Sequence, residues 1–331
     1  MATTDLTHKA LPLNEIANRL DRNGGVAELA FTLMEKNQFL EVMPFMKASA
    51  ETHHDFVKTV NIPAGSWTRR DKGVDIEHSR TRPAREYMGT IESYSQVDVR
   101  NFRGLKKSAA AAIRLQEDKG FLAGLTQSVS KNLIYGDLGE TPDGLKGIFS
   151  RDLWNATGTG QVIDAGGDGI DVMSMLVVEF GADTLYGIYP SGTKAGIETE
   201  DLGREPKYDS DGKRYDVYTT HFIWDLGFVV KDDRSIVRIA NLEDVVSDGT
   251  NNGFDDDYLL DAFALLPNAG DKNTYIYTNR RGLRLIQKTA KDKVNVNYDP
   301  SNPFGRKWIR DYMGSPIKME EQLITTETAI D

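Results

Sequence analysis

Residues able to do acid–base, nucleophilic or metal chemistry are scattered along this chain. The five histidines are His8, His53, His54, His78 and His221, most of them in polar or extended segments. His53 and His54 are adjacent, so their side chains diverge on a strand as on a helix and form a poor joint metal site. Because no Gly-x-Ser-x-Gly motif accompanies the histidines, the sequence predicts no serine-type catalytic triad.

Carboxylates offer the alternative that would make the chain a soluble α+β enzyme or ligand-binding protein. Asp255, Asp256 and Asp257 form an acidic run, and a divalent metal held within Asp248–Asp257 would support hydrolysis or ligand binding. The DSDG sequence inside Tyr208–Asp216 lacks the third ligand and the distant Glu of a calcium loop, which favours a turn. The acidic run is typical of a solvated surface, so we predict no catalytic residue and no metal ligand.

A glycine-rich stretch around residues 158–169 lacks the spacing of a nucleotide-binding loop. Its pattern matches neither G-x-G-x-x-G nor the Lys-Ser/Thr ending of the Walker sequence. The glycines concerned are Gly158, Gly160, Gly166 and Gly167. We therefore predict no cofactor-binding residue, no cofactor and a protein that is not an enzyme.

Composition narrows the class of protein further. The 331 residues are 39% apolar and 27% charged, as in a globular protein large enough for two or three domains. Cysteine is absent, which excludes disulfides and thiolate metal sites and fits a reducing cytoplasm. The formal net charge of −10 disfavours sequence-specific DNA binding. No apolar run has membrane-spanning length and the N-terminus shows no signal-peptide pattern, so we expect no membrane association.

The element around which the chain is organised is a long alanine-rich stretch, Leu105–Tyr135. Its composition predicts one helix of about 45 Å, and Gly136 is a natural stop. Gly120 and Gly124 lie in its middle, where we expect a bend or a close helix-to-sheet contact. The core-facing stripe predicted for this helix consists of Leu122, Leu125, Val129 and Leu133.

Before this helix the sequence predicts an arm and a projecting hairpin. Gly24–Phe39 favours an amphipathic helix with Val26, Leu29 and Leu33 on one face, and an extended arm follows it. Strand-like segments IPAGSW and TIESYSQVDV would enclose a long polar tip. The tip carries Arg69, Arg70, Lys72, Arg80, Arg82 and Arg85. Either this loop is simply solvated, or it docks on an acidic neighbour. The acidic candidates are the run Asp255–Asp257 and the group Glu198, Glu200 and Asp201.

The remainder predicts a mixture of strands and helices. Three stretches are apolar enough to be buried: Met175–Phe180, Thr184–Tyr189 and Tyr215–Leu242, the last as two strands. Phe254–Leu266 favours an amphipathic helix. The C-terminal part from Asn273 alternates like sheet strands around turns. Because no helix of its own would cover these strands, we expect them to pair back with the long helix.

Several stretches together resemble the major capsid proteins of tailed bacteriophages, in particular the group of short-tailed phages that includes epsilon15. The likeness covers nearly the whole chain and depends on the order and spacing of its parts. They are IPAGSWTRRDKGV, ESYSQVDVR, NLIYGDLGETPDGLKGIFSR, IDAGGDGIDVMSMLVVEFGADTLYGIYPSGTKAGI, DDRSIVRIANL and YMGSPIKMEEQLITTE.

The resemblance implies an α+β fold of the HK97 capsid type. Its parts would be an N-terminal arm (1–59), an E-loop (60–101), a P-domain carrying the long helix (102–157 and 271–331) and an A-domain (158–270). A long helix, an arm and a charged hairpin are independently features of a subunit that holds neighbours, since many weak contacts add up in an assembly.

The function implied by the resemblance is self-assembly into hexamers and pentamers of an icosahedral shell enclosing phage double-stranded DNA. The partners implied are other copies of the chain, scaffolding, cement or decoration and portal proteins, and packaged DNA through non-specific contact. The implied location is the virion, after assembly in the host cytoplasm.

Overall fold

The computed structural model describes residues 38–141, 143–193, 195–246, 252–268, 273–292 and 309–331. The helices are α1 (Gln38–Val42), α2 (Lys107–Tyr135), α3 (Asp257–Leu265) and α4 (Arg280–Asp292). The strands are β1 (Phe45–Lys47), β2 (His53–Asn61), β3 (Arg80–Tyr87), β4 (Gly89–Asp98), β5 (Val162–Asp164), β6 (Met173–Glu179), β7 (Leu185–Tyr189), β8 (Glu198–Tyr208), β9 (Arg214–Val230), β10 (Ile236–Leu242), β11 (Thr274–Thr278), β12 (Asp311–Tyr312) and β13 (Ser315–Met319). The described chain is thus α+β, as predicted. Most of the helix predicted at Gly24–Phe39 lies outside the described residues.

The described residues divide into two compact units. The first contains residues 90–130 and 196–225, and the second contains residues 38–89, 131–195 and 226–331. The predicted boundary between 158–270 and 271–331 does not coincide with this division. The reason is strand pairing, since β6 and β11 come from either side of that boundary and are neighbours in one sheet.

A six-stranded sheet forms the centre of the second unit, in the order β12-β13-β11-β6-β10-β5. Every residue of β6 and of β10 is buried, which explains why both read as continuous apolar runs. Helices α3 and α4 cover the sheet through Leu259, Phe263 and Leu285. The burial predicted for residues 175–180 and 184–189 is therefore confirmed, with both stretches contributing strands, and so are the two strands predicted within 215–242.

Helix α4 is a correction to the predicted C-terminal strands. Asn279 begins it, because its side-chain Oδ1 accepts the N–H of Gly282 at 2.8 Å in the manner of an N-cap. Leu285 and Ile286 face the core, and together with Gly282 and Thr289 they follow a spacing of three and four residues. That helical period was present in the sequence, but the alternation of the preceding strand obscured it.

The expected pairing with the long helix was wrong for the C-terminal strands, although Ile324 and Glu327, which follow them, contact Tyr135 of that helix. Strand β13 instead lies parallel to β11, with Ile317 opposite Ile276, because a strand satisfies its backbone hydrogen bonds best in a sheet. Leu125, Val129 and Leu133 of the helix are buried as predicted, whereas Leu122 is only partly buried. The helical spacing of these residues correctly predicted that they lie in a core, but the segment against which they pack was predicted wrongly.

In the first unit, helix α2 packs on strand β9, which is flanked by β8 and β4. Phe121 stacks on Phe222 with ring centroids 6.3 Å apart. Arg114 lies 4.9 Å over the ring of Tyr218 and donates to Asp201 at 2.8 Å. Asp201, one of the acidic residues proposed to meet the basic loop, is therefore paired within its own unit.

Helix α2 ends at Tyr135, immediately before Gly136, and its last carbonyls are capped by a neighbouring segment. The N–H groups of Gly147, Ile148 and Phe149 donate to the carbonyls of Gly136, Leu133 and Ile134 at 2.7, 2.9 and 2.9 Å. Carbonyls at a helix end have no partner inside the helix, so this pairing satisfies groups that would otherwise be buried without one. Gly147 permits the approach, since a Cβ there would lie 2.8 Å from Ile134 O and closer still to Gly136 N.

The projecting hairpin exists, but its strands are β2 and β3. IPAGSW lies in the connection between them, and TIESYSQVDV forms most of β4, which pairs with β9. Pro63 and Gly65 account for the end of the first strand. Strand β3 contains Pro83 and three arginines, so its sequence shows no alternation of apolar and polar residues. A strand that is largely exposed on both faces does not need such an alternation.

Candidate functional site

The base of the hairpin is firmly anchored in the second unit. Phe56 is buried with Tyr186 and Ile188. Arg151 binds Glu86 through two hydrogen bonds of 2.6 and 3.1 Å, and both side chains are less than one-fifth exposed. A bidentate pair of this kind fixes geometry as well as contributing energy. The base can therefore hold the rest of the hairpin in a defined direction.

The tip of the hairpin, residues 62–79, has no comparable packing. Trp67 is 104% exposed, Ile76 99% and Ile62 79%. A two-stranded ribbon is marginally stable alone in water, and large apolar side chains grouped on a projection are typical of a binding surface. The turn at its end places Asp71 at φ 64°, and the Thr68 hydroxyl donates to Lys72 O at 3.2 Å.

Most of the predicted basic residues lie on or next to this tip and form no ion pair with another described residue. Arg85 is the exception, because its Nε donates to Asp55 at 2.6 Å, a bond that lowers the pKa of the Asp55 carboxyl. Arg85 is thus occupied inside the hairpin. Among the described residues no ion pair involves the other cations, which are Arg69, Arg70, Lys72, Arg80 and Arg82.

His54 lies at the base of the hairpin and is held in its neutral form. Its Nδ1 accepts the N–H of Ser49 at 3.1 Å, so Nε2 carries the proton and donates to Tyr186 OH at 3.2 Å. Burial is the largest cause that lowers its pKa below the usual 6.5. His54 is therefore a structural residue of the hairpin base.

We expect mild acid to loosen the hairpin base. Since the folded chain holds His54 unprotonated, it binds fewer protons there than the unfolded chain, and the free energy of unfolding falls as the pH drops through 6.5. Urea denaturation at about pH 8 and about pH 5.5 measures this loss. His54→Asn keeps an acceptor for Ser49 but does not titrate, so its loss should be smaller; an equal loss would assign the effect to other groups.

A groove in the first unit lies between strand β4 and helix α2. It has a volume of about 590 Å³ and is lined by Ile91, Glu92, Ser93, Gln116, Glu117, Gly120, Phe121, Gly124, Leu125 and Ser128. A Cβ added at Gly120 or Gly124 would meet nothing within 4 Å, so the close helix-to-sheet contact expected at these glycines is absent. Each glycine costs the helix about 1 kcal/mol relative to alanine, and no described residue packs close enough to either position to require it.

A second cluster, which we call the C-terminal clasp, joins Arg238 to the end of the chain. The Arg238 guanidinium donates to Ser174 Oγ at 3.1 Å, to Trp154 O at 2.7 Å and to Glu327 Oε2 at 2.9 Å. It also lies 3.7 Å over the ring of Phe149. Arg238 and Glu327 are each only 5% exposed. Burial lowers the pKa of Arg238, and the Glu327 carboxylate opposes that effect.

Tyr135 connects the clasp to the end of helix α2. Its hydroxyl donates to Glu327 Oε1 at 2.5 Å and accepts the N–H of Ile324 at 3.1 Å. Burial first, and Glu327 second, raise its pKa, so the phenol remains protonated. Ser174 is fully buried and has no histidine beside it. The clasp is therefore an anchor for the C-terminal residues.

The acidic run does not make a convincing metal centre. The carboxylates of Asp255, Asp256 and Asp257 lie within 4.8 Å of one another at the start of α3, where negative charge favours the helix N-terminus. Asp255 accepts the N–H of Asp257 at 3.3 Å. His221 lies elsewhere, stacked 4.1 Å from Tyr94, and His78 is exposed on the hairpin. Residues 248–251 and His8 are outside the described ranges.

No described helix combines the length and the apolar character that a bilayer crossing requires.

Comparison with solved structures identifies the class. A near-atomic structure of bacteriophage Epsilon15 is similar to this chain, with 26% identity, a TM-score of 0.75 and 99% of each chain covered. The bacteriophage JBD30 capsid shares the fold at 9% identity and a TM-score of 0.52, over 91% of this chain and 95% of that one. The expected HK97-like α+β fold of a tailed-phage capsid protein is confirmed.

The sequence itself matches the family model described as Major capsid protein GP7 over residues 21–331, and the chain belongs to that family. No curated protein matches the sequence. The chain is a tailed-phage major capsid protein that forms the shell of the virion. This is a structural role, and the metal-dependent hydrolytic alternative has no support.

Proposed function

We propose that copies of this chain form hexamers and pentamers through the hairpin tip, which docks on a neighbouring copy, and that these close into an icosahedral shell around double-stranded DNA. The observation that carries the proposal is the contrast within the hairpin. Its base is locked by the pair Arg151–Glu86, while Trp67 and Ile76 at the tip are fully exposed. A rigid base with an apolar, cationic tip is suited to binding outside the subunit.

Other parts of the proposal follow from charge and from the family. An acidic chain of net charge −10 repels DNA at long range, so we propose only non-specific contact with the packaged genome. Assembly takes place in the host cytoplasm, with scaffolding, cement or decoration and portal proteins as further partners, and the chain has no catalytic activity. Residues 1–59 act as the arm and 60–101 as the E-loop. The P-domain lies at the periphery of a capsomer and consists of residues 102–157 with 271–331. The A-domain lies at its centre and consists of residues 158–270.

Reversing the charge of the tip tests this function. Arg69→Glu, Arg70→Glu and Lys72→Glu together should block particle formation and leave the circular dichroism of the unassembled subunit unchanged, because these side chains contact nothing described within it. Exposed ion pairs contribute about 0.2 to 1 kcal/mol each, so single changes to alanine should have little effect. Electron microscopy and sedimentation of the purified protein measure the yield of particles.

Two matched variants separate the position of the charges from their number. Arg69→Lys with Arg70→Lys keeps the charge of the tip and should assemble. Arg103→Glu, Lys106→Glu and Lys107→Glu change the net charge by the same amount at exposed positions outside the hairpin, and particles should still form. Wild-type yield from the tip reversal would contradict electrostatic docking, and loss of the subunit fold would place the charges inside the subunit.

A further inference from the structure

A histidine lies between two carboxylates on one face of the sheet in the first unit. His221 belongs to β9, and this strand pairs with β8 and with β4. Its Nε2 lies 3.3 Å from Oε2 of Glu92 on β4. The residue of β8 directly opposite His221 is Glu200, and opposite residues of an antiparallel pair place their side chains on the same face. One imidazole and two carboxylates thus come from three strands of one sheet.

Helix α2 covers the other face of this sheet. Phe222, the next residue of β9, stacks on Phe121 of the helix. Because the side chains of a strand alternate between the two faces, His221 points away from the helix, and Glu200 does so with it. The Glu200 side chain is exposed and forms no ion pair with another residue that the structure describes. This carboxylate is therefore available to a ligand.

The distance between the His221 nitrogen and the Glu92 oxygen is that expected for two ligands of one zinc ion. At 3.3 Å it is slightly longer than most hydrogen bonds between nitrogen and oxygen, which measure about 2.7 to 3.2 Å. Zinc bonds of about 2.0 to 2.1 Å at the tetrahedral angle separate neighbouring ligand atoms by about 3.3 to 3.4 Å. Tyr94 stacks on the imidazole 4.1 Å away and within 2° of parallel. This stacking fixes the plane of the ring, as contacts behind a metal ligand do in metal sites.

We propose that His221, Glu92 and Glu200 bind a zinc ion, which links strands β9, β4 and β8. Imidazole combined with carboxylates suits zinc, whereas calcium and magnesium prefer oxygen ligands alone. The three ligand atoms do not all lie within 4.8 Å of one another, so the exposed side chain of Glu200 turns towards Nε2 on binding, and a water molecule completes the tetrahedron. The sequence predicted no metal ligand, because Glu92 and His221 are 129 residues apart and meet only through strand pairing.

Zinc titration of the unassembled subunit tests the site. The subunit is purified without a histidine tag and treated with a chelator first. Calorimetry should show one zinc ion bound per chain, and zinc at about a hundredfold above its dissociation constant should raise the melting temperature by about 4 °C. Calcium and magnesium at the same concentration should leave the melting temperature unchanged. Cobalt in place of zinc should give the strong visible absorption of a tetrahedral site.

Variants of the ligands assign the bound ion to this site. His221→Asn keeps a hydrogen-bond donor for Glu92 but lacks the ring nitrogen, and Glu200→Gln keeps the shape of the side chain but not its charge. Each should weaken zinc binding by about a hundredfold, since even groups that only orient a ligand contribute about 10- to 100-fold. Glu198→Gln, exposed on the same strand, and His78→Asn, exposed on the hairpin, are matched controls that should bind zinc normally.

Three outcomes would contradict the assignment. Zinc binding that survives both His221→Asn and Glu200→Gln would overturn it, and if the histidine variant fails to fold, the variant of exposed Glu200 decides alone. Binding that is lost in Asp255→Asn with Asp257→Asn would place the ion at the start of α3 instead. Absence of zinc binding by the unaltered subunit would also overturn the assignment, and it would leave the shell function untouched because particle formation is measured separately.

Discussion

Replacing Glu327 with leucine is expected to lower the free energy of unfolding by about 3 to 5 kcal/mol, because it leaves the Arg238 charge buried without its counterion. Arg238 is 5% exposed, so its guanidinium cannot regain water without opening the clasp. The same change removes the acceptor for Tyr135, which leaves a buried hydroxyl with one partner fewer. Chemical denaturation of the unassembled subunit measures the loss.

Two comparisons establish that the loss comes from the buried charge. Asp183 pairs with Lys231 at 2.5 Å but is 87% exposed, so Asp183→Ala should cost no more than about 1 kcal/mol. The double replacement Arg238→Met with Glu327→Leu removes both charges and should recover much of the lost stability. If Glu327→Leu costs as little as Asp183→Ala, Arg238 has found another counterion and the clasp is not the anchor that we describe.

Gly147→Ala should be the second severe change, with an expected cost of about 3 kcal/mol or more. The new methyl group would meet the backbone of Gly136 and Ile134, and backbone cannot rotate aside as a side chain can. Separation of the two segments would also weaken the three hydrogen bonds that cap α2, each contributing about 1 kcal/mol. The melting temperature and the urea midpoint of the subunit measure this effect.

Gly120→Ala is the matched control, since it adds the same methyl group to open space on helix α2, the helix against which Gly147 packs. It should stabilise the helix by about 1 kcal/mol. Opposite signs for the two substitutions would confirm that close approach at Gly147, and not glycine content in general, determines the outcome. A neutral result for Gly147→Ala would mean that residues 145–149 can move away from the helix without loss.

The sequence predicted those elements whose pattern is local. Helix α2 and strands β6 and β10 carry enough alanine or continuous apolar residues to be recognised without their partners. Strand β3 was missed because Pro83 and its arginines hide it, and α4 was missed because Leu285 and Ile286 follow an alternating strand. The partner of the C-terminal strands was wrong because pairing in a sheet depends on residues far away in the chain.

The hairpin tip was predicted in part. The cations of the tip were visible as a local excess, although the pairing of Arg85 with Asp55 needed the hairpin register to be known. The exposure of Trp67 was not predicted, since a single tryptophan among polar residues is equally compatible with a core position and with a surface position. The clasp could not be predicted either, because Arg238 and Glu327 are 89 residues apart and nothing local distinguishes them from other charged residues.

The clasp also determines when the second unit can complete its folding during synthesis. Arg238 is 89 residues away from its partner Glu327, and translation at roughly 5 to 20 residues per second separates them by about 4 to 18 s. During that interval Arg238 has no counterion from the C-terminal residues, so the second unit cannot complete its packing. The order of synthesis therefore delays completion of the second unit until Glu327 has emerged from the ribosome.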